Sequence, residues 1–223
     1  MNQIKKQCDS CGTCCRNGGP PLHVQDIELV RTGSLVIDNL VTIRRGELVI
    51  PPMATKPVPT QSEWIKIQGV GSNWCCRFFD VSSNLCTIYE HRPSSCRALK
   101  CWDTDEIMAM AGRDLLARSD LIDNNDPLLQ LVHLQEKRCP VPEIENIVIT
   151  LTDPARRDEL LSDLTGLVKV DLQIRNQAVR EFNISVAREL FYFGRPLFQL
   201  FHPLGILTIE TPQGVELKFQ TCS

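Results

Sequence analysis

Apolar residues recur every three or four positions along the second half of the chain, which is the spacing of an amphipathic helix. The two longest runs of this kind consist of Leu160, Leu164, Leu167 and Val168, and of Leu172, Val179, Phe182, Val186, Leu190 and Phe193. Asp153-Pro154 is suited to begin the first run, because an aspartate cap followed by proline favours a helix N-terminus. We expect Gly166 to separate the two helices.

Two further helices are predicted upstream of these runs. Asp103 or Thr104 is expected to cap a helix that extends to about Arg118. Asp126-Pro127 is expected to begin another, which the Cys139–Pro142 segment ends with its two prolines. Past these helices, apolar residues alternate with polar ones on both sides of Pro212-Gln213-Gly214, which predicts a terminal β-hairpin.

The first half of the chain shows short strands and many structure-breaking residues. Residues 8–21 end in Asn-Gly-Gly-Pro-Pro and are predicted to form a loop. Glu47–Ile50 and Trp64–Ile67 have the composition of short strands. We therefore predict an α+β fold, with a loop-rich region with short strands at residues 1–102. This loop-rich region is expected to pack on a helical region, residues 103–223, which ends in a β-hairpin. The two regions are expected to form one compact unit.

Composition and charge narrow the function classes. The 223 residues are 43% hydrophobic, so the chain can bury an ordinary core without help from cysteines. The net charge of −3 does not indicate a nucleic-acid binder. Residues 1–101 carry 12 Lys/Arg against 8 Asp/Glu, whereas residues 102–223 carry 12 against 19. No apolar run suggests a signal peptide or a membrane span, so we expect a cytoplasmic, reducing environment.

Eleven cysteines are the strongest chemical signal in the chain. Cys8, Cys11, Cys14 and Cys15 follow a C-x2-C-x2-C-C spacing, and a C-x2-C step lets two thiolates reach one metal ion. The second set of cysteines lies downstream and consists of Cys75, Cys76, Cys86, Cys96 and Cys101. We predict that the two sets meet in space around a metal or iron–sulfur centre. Several arginines and a lysine flank these cysteines, namely Arg16, Arg77, Arg92, Arg97 and Lys100.

Other interpretations of the cysteines remain open. A single C-x2-C step also occurs in redox pairs, although no strand-like segment precedes Cys8. Buried structural cysteine is an alternative that suits Cys139 and Cys222, because free cysteine behaves as a small apolar residue. A nucleophile pair of Cys86 with His91 or His23 is conceivable, but neither histidine has an evident orienting partner.

The cysteine pattern resembles that of the YkgJ, or CxxCxxCC, cysteine-cluster family, described as a zinc- or iron-chelating domain. The resemblance rests on Cys8-x2-Cys11-Gly12-x-Cys14-Cys15, Cys76-Arg-Phe-Phe-Asp, Cys86-Thr-Ile-Tyr89, Arg92-Pro93 and Cys96-Arg97, and it covers roughly residues 5–102. It implies that Cys8, Cys11, Cys14, Cys15, Cys76, Cys86 and Cys96 are metal ligands. Cys101 extends this set, and either Cys75 or Cys76 supplies the ligand at that position.

The sequence leaves the identity of the centre between iron–sulfur and zinc. Soft thiolates suit both, but the scarcity of histidine and the local arginines favour an iron–sulfur cluster, of the 4Fe-4S type, with Arg97 near its sulfurs. We expect a structural or redox role, with a protein or redox partner. The alternatives are an enzyme that uses the centre for oxidoreduction or for methyl transfer to a protein, and a zinc-stabilised interaction protein.

Overall fold

The first half of the chain builds its regular structure from short antiparallel strand pairs. A computed structural model describes residues 8–52, 54–212 and 214–220. The strands of the first half are β1 (Leu40–Ile43), β2 (Leu48–Val49), β3 (Val58–Pro59), β4 (Trp64–Ile67), β5 (Gly69–Val70), β6 (Cys75–Cys76), β7 (Phe79–Asp80) and β8 (Leu85–Cys86). They pair as β1 with β4, β2 with β3, β5 with β6, and β7 with β8.

Helical elements of one or two turns connect these strands. The α-helices of this half are α1 (Thr13–Arg16), α2 (Ile27–Arg31) and α3 (Ser94–Ala98). Single 3₁₀ turns lie at Val24–Asp26, Ile37–Asn39 and Tyr89–His91. Elements this short are not stable by themselves in water, so tertiary contacts must hold them in place.

The second half of the chain is mainly helical and ends in a hairpin. Its α-helices are α4 (Asp105–Met110), α5 (Leu129–Arg138), α6 (Ile144–Leu151), α7 (Pro154–Phe182), α8 (Val186–Phe193) and α9 (Leu197–Phe201). Further 3₁₀ turns lie at Arg118–Asp120 and His202–Leu204, and the hairpin consists of β9 (Ile206–Thr211) and β10 (Gly214–Phe219). Within the described part of the chain, no helix combines the length and apolar character of a membrane span.

The hydrophobic core takes side chains from both halves of the chain. All four residues of β1 are buried, and α8 packs against this strand. The Thr42 hydroxyl donates to the Phe191 carbonyl, and Gln68 Nε2 donates to the carbonyls of Leu40 and Ala187 at 2.8 Å each. These contacts join the strands that precede the second cysteine set to the helical half. A division into regions at residue 102 stays a prediction.

A buried ion pair fixes the helices around this core. Asp171 and Arg175 lie one turn apart on α7, with Nε of Arg175 3.0 Å from Asp171 Oδ2. Arg175 also donates to the carbonyls of Phe193 and Gly194, and Asp171 accepts from Gln135 and from the Leu197 backbone. These hydrogen bonds join α7 to α5, α8 and α9, and they offset the cost of burying the charge pair.

Most of the predicted architecture is confirmed. The fold is α+β, the second half is helical, and the C-terminal hairpin forms around the predicted turn. The strand at Trp64–Ile67 is present, a strand of two residues lies within Glu47–Ile50, and α5 begins just after Asp126-Pro127.

Three details of the prediction are wrong, and each has a local cause. Residues 8–21 are not all loop, because α1 forms within them. The helix predicted to reach about Arg118 ends at Met110, and Gly112 follows in a left-handed conformation with φ of +72°. Gly166 does not end a helix, because α7 continues to Phe182 and stops at the left-handed Asn183. Helix α6 had not been predicted.

Candidate metal centre

The first cysteine segment turns into α1 at Gly12. This glycine has φ of +73°, and a Cβ atom there would lie 2.3 Å from Cζ of Phe79, so a larger residue does not fit without movement. Cys14 and Cys15 lie on α1 with their Sγ atoms 3.9 Å apart. Helix α1 packs against β6, where the Cys75 thiol donates to the Cys15 carbonyl with an S–O distance of 3.5 Å. The first set of cysteines therefore contacts the second.

Arg16 joins the same segment to the β7–β8 hairpin. Its Nη1 donates to the Cys11 carbonyl at 2.8 Å, and its Nη2 donates to Oδ1 of Asn84 in the hairpin turn at 2.7 Å. The guanidinium lies 4.9 Å from the centre of the Phe79 ring, within cation–π range. Phe79 is the register partner of Cys86. These contacts bring α1 towards the strand that carries Cys86.

Cys96 reaches the centre on α3, and a buried carboxylate fixes the start of that helix. Asp26 is fully buried and accepts from the backbone N–H and the hydroxyl of Ser94, both at 2.8 Å. It also accepts from the backbone N–H of His23 at 3.0 Å. Because these bonds join residues almost seventy positions apart, Asp26 determines where α3 and Cys96 stand relative to the N-terminal segment.

The thiols of Cys14, Cys15, Cys76, Cys86 and Cys96 lie close enough for their charges to interact. Burial, followed by repulsion from Cys76, Cys86 and Cys14, raises the pKa of the Cys96 thiol to about 12. Burial and the thiols of Cys14, Cys76 and Cys86 also raise the pKa of Cys15 well above its usual range. Burial raises the pKa of Cys76, and the neighbouring thiols of Cys86 and Cys75 raise it further. We call these five residues the thiol group.

Such a group is suited to a cation. Each thiolate disfavours ionisation of the next, and a bound metal ion reverses that effect by stabilising the ionised form of every ligand. Sulfur donors without nitrogen or oxygen partners match zinc and iron–sulfur centres rather than magnesium or calcium. In residues 8–52, 54–212 and 214–220, however, no three His, Cys, Asp or Glu side chains stand in an arrangement that holds one metal ion as they lie. The exact ligand set thus stays a prediction.

Comparison with known families agrees with this chemistry. The family model CxxCxxCC, described as "Putative zinc- or iron-chelating domain", matches residues 7–113. Residues 7–113 are therefore similar to the CxxCxxCC domain, and we use that name for this part of the chain. Searches of curated proteins and of solved structures found no match to the chain. The family description supports a metal-binding role and leaves the choice between zinc and iron open.

The predicted cysteine ligands of the CxxCxxCC domain differ in their surroundings. The thiol group contains one exposed cysteine, Cys14, beside the half-buried or buried Cys15, Cys76, Cys86 and Cys96. Cys8, Cys11 and Cys101 are also exposed but lie outside this group. Local contacts hold two of these exposed thiols, because the Ser10 N–H donates to Cys8 Sγ at 3.4 Å and Cys11 Sγ lies 3.4 Å from the Thr13 hydroxyl. The roles of Cys8, Cys11 and Cys101 as ligands stay predictions.

The remaining cysteines and Arg97 can also be placed. Cys76 is buried, whereas the half-buried Cys75 thiol donates to the Cys15 carbonyl, and which of the two is a ligand stays a prediction. Cys139 is fully buried, as expected of a structural cysteine, and Cys222 lies outside the described residues. The Arg97 guanidinium donates to the Arg92 carbonyl and lies 3.9 Å from Asp26. A contact between Arg97 and sulfur stays a prediction.

Sequence reasoning missed two residues of the CxxCxxCC domain that position its cysteines. Gly12 was noted only as part of the motif, although its place in C-x2-C-Gly was a signal that a special conformation is needed there. Asp26 has no signal in the sequence, because its partner Ser94 is distant along the chain. An aspartate within an amphipathic turn is normally expected at the surface.

Proposed function

We propose that the protein binds a metal centre through its thiol group, and that this centre is an iron–sulfur cluster with a structural or electron-transfer role. The observation that carries the proposal is the convergence of Cys14, Cys15, Cys76, Cys86 and Cys96 from four separate elements, α1, β6, β8 and α3. Five sulfurs exceed the four that one cluster takes. Cys8, Cys11 and Cys101 are then left as ligands of a second centre or as outer thiols.

Positive charge near the thiol group supports this proposal. The side chain of Arg92 lowers the pKa of Cys96 against the effect of burial, so a positive charge lies near the sulfurs. Positive charges and hydrogen-bond donors around sulfur stabilise thiolates and tune the reduction potential of an iron–sulfur cluster. When bound, such a cluster supplies one-electron chemistry.

Structural zinc is the second candidate, and one observation favours it. The elements that carry the thiol group are strands of two residues and helices of four or five residues, which cannot be stable alone. A closed tetrahedral zinc site commonly fixes segments of this kind, and its binding energy then contributes to folding. In that case the protein is an adaptor that uses metal to fold. Oxidoreductase or methyl-transfer activity stays an alternative prediction.

Substitution of single cysteines tests the proposal. We expect Cys76→Ser and Cys96→Ser to lose most of the metal that the wild-type protein retains when it is purified without oxygen. Cys139→Ser is the matched control, because Cys139 is also buried but directly follows α5, where its carbonyl accepts from Arg44. Equal metal loss in all three variants, or full metal retention in all three, would contradict the assignment.

A further inference from the structure

A groove of about 320 Å³ lies in the helical half, outside residues 7–113 that the family match covers. Its walls are the end of α6, the first turn of α7, the 3₁₀ turn His202–Leu204 and the end of β10. The side chains that line it are Val148, Leu151, Thr152, Arg157, Leu204 and Phe219. Most of them are apolar, so the groove is suited to an apolar ligand. We call it the α6 groove.

Helix α6 exposes apolar side chains beside this groove. Ile144, Ile147 and Leu151 are buried on its inner side, whereas Val148 is 47% exposed and Ile149 is 65% exposed. A helix with apolar residues on more than one side is normally buried. Contact between Val148 and an apolar ligand in the groove would remove part of this surface from water, which is favourable.

Arg157 supplies a positive charge at a fixed place in the groove. Its Nε donates to the Leu151 carbonyl at 2.9 Å, and its guanidinium carbon lies 5.0 Å from the centre of the Phe219 ring. Among the residues that the structure describes, no carboxylate forms an ion pair with Arg157, and its two Nη atoms form no hydrogen bond. These Nη atoms can therefore bind an anion, and a planar guanidinium matches the two oxygens of a carboxylate.

The size of the groove favours a small molecule over a protein partner. Six residues line it, whereas a stable protein interface takes about 20–30 residues on each side. Its volume lies near the lower end of the range for small-molecule sites, roughly 300–1,000 Å³. We propose that the α6 groove binds a small aliphatic carboxylate, with its chain on the apolar lining and its carboxylate on Arg157. The groove shares no residue with the thiol group, so this inference goes beyond the proposed function and does not depend on it.

Titration with octanoate and with 1-octanol tests this site, because the two probes share an aliphatic chain and differ in charge. Each is titrated calorimetrically into the full-length protein at pH 7, where octanoate and arginine are both ionised. We expect saturable octanoate binding at one site and about tenfold weaker binding of 1-octanol, which cannot form the charge-assisted pair. Arg157→Gln should lower the octanoate affinity to that of 1-octanol. Arg156→Gln is the matched control, since Arg156 is exposed and does not line the groove, and it should bind octanoate as the wild type does.

A second pair of variants tests the location of the site even if Arg157→Gln does not fold. Val148→Glu places a negative charge in the groove, whereas Ile149→Glu places it one residue away, outside the lining. Both positions are exposed, so neither substitution buries a charge. We expect Val148→Glu to lose octanoate binding and Ile149→Glu to retain it. The proposal is overturned if the wild type shows no saturable octanoate binding, if octanoate and 1-octanol bind equally, or if the two members of either variant pair lose affinity equally.

Discussion

Replacing Asp26 with alanine should destabilise the protein more than its place in a single turn of 3₁₀ helix suggests. The substitution removes a fully buried carboxylate that accepts three hydrogen bonds, two from Ser94 and one from His23. Hydrogen bonds to a charged group contribute about 1.5–3 kcal/mol each, but they are not additive within one network. Leaving buried donors unpaired costs a similar amount, so we expect the free energy of unfolding to fall by about 4 kcal/mol.

Asp120 provides a matched control for this prediction. Asp26 and Asp120 each end a 3₁₀ turn and accept from the backbone N–H of the residue before that turn. For Asp120 the donor is the Ala117 N–H, at 2.8 Å, and the turn is Arg118–Asp120. Asp120 is exposed and, among the residues that the structure describes, makes no bond comparable to the pair from Ser94, so Asp120→Ala should cost only about 1 kcal/mol. The contrast between the two variants isolates the bonds that hold α3.

Urea denaturation of both variants and of the wild type, with metal content measured alongside, gives the comparison. Asp26→Ala should also retain less metal, since α3 carries Cys96, whereas Asp120→Ala should retain as much as the wild type. Asp26→Asn should fall between the two, because it keeps one acceptor oxygen and presents an amide N–H₂ to donor groups. The reasoning is refuted if Asp26→Ala and Asp120→Ala lie within about 1 kcal/mol of each other with equal metal content.

Three further predictions follow from single positions. Gly12→Ala should destabilise by about 2–3 kcal/mol in urea denaturation, because it adds strain at a positive φ and a clash with Phe79; a loss below about 0.5 kcal/mol would contradict the close packing. Gly166→Ala should raise the free energy of unfolding by up to about 1 kcal/mol, since this position is open within α7 and alanine favours helix; destabilisation would argue against a continuous helix. Zinc affinity, measured by competition with a chelator, should rise with pH across the neutral range, because thiols with raised pKa values such as Cys96 must release protons to bind; a flat profile would exclude them as ligands.

Local sequence signals correctly predicted helix starts and turns where a single residue determines the position. Asp153 caps α7 by accepting from the Ala155 N–H at 3.0 Å, and the terminal turn forms where it was expected. The prediction that Gly166 separates two helices was wrong, because glycine weakens a helix by only about 1 kcal/mol. The packing of α7 against α5 and α6 outweighs that cost. The chain instead leaves the helix at Asn183, where the left-handed conformation that asparagine tolerates ends it.

The candidate site was predictable in its chemistry but not in its geometry. Motif spacing indicated that two cysteine sets serve one centre, and contacts such as Cys75 Sγ to the Cys15 carbonyl agree with that. Spacing does not reveal that Cys14 and Cys96 lie within electrostatic reach while Cys101 stands exposed. Those relations depend on long-range bonds such as that from Ser94 to Asp26, which leave no periodic trace in the sequence.

The central proposal is that the thiol group of the CxxCxxCC domain holds an iron–sulfur cluster. Its most direct test combines spectroscopy and elemental analysis of protein purified without oxygen. The visible absorption spectrum is recorded, and iron, zinc and acid-labile sulfide are determined on the same sample. We expect a brown protein with broad sulfur-to-iron charge-transfer absorption, and iron and sulfide present together. A colourless protein that carries stoichiometric zinc after expression with ample iron would contradict the iron–sulfur assignment and favour structural zinc. A protein free of both metals would contradict the metal centre itself.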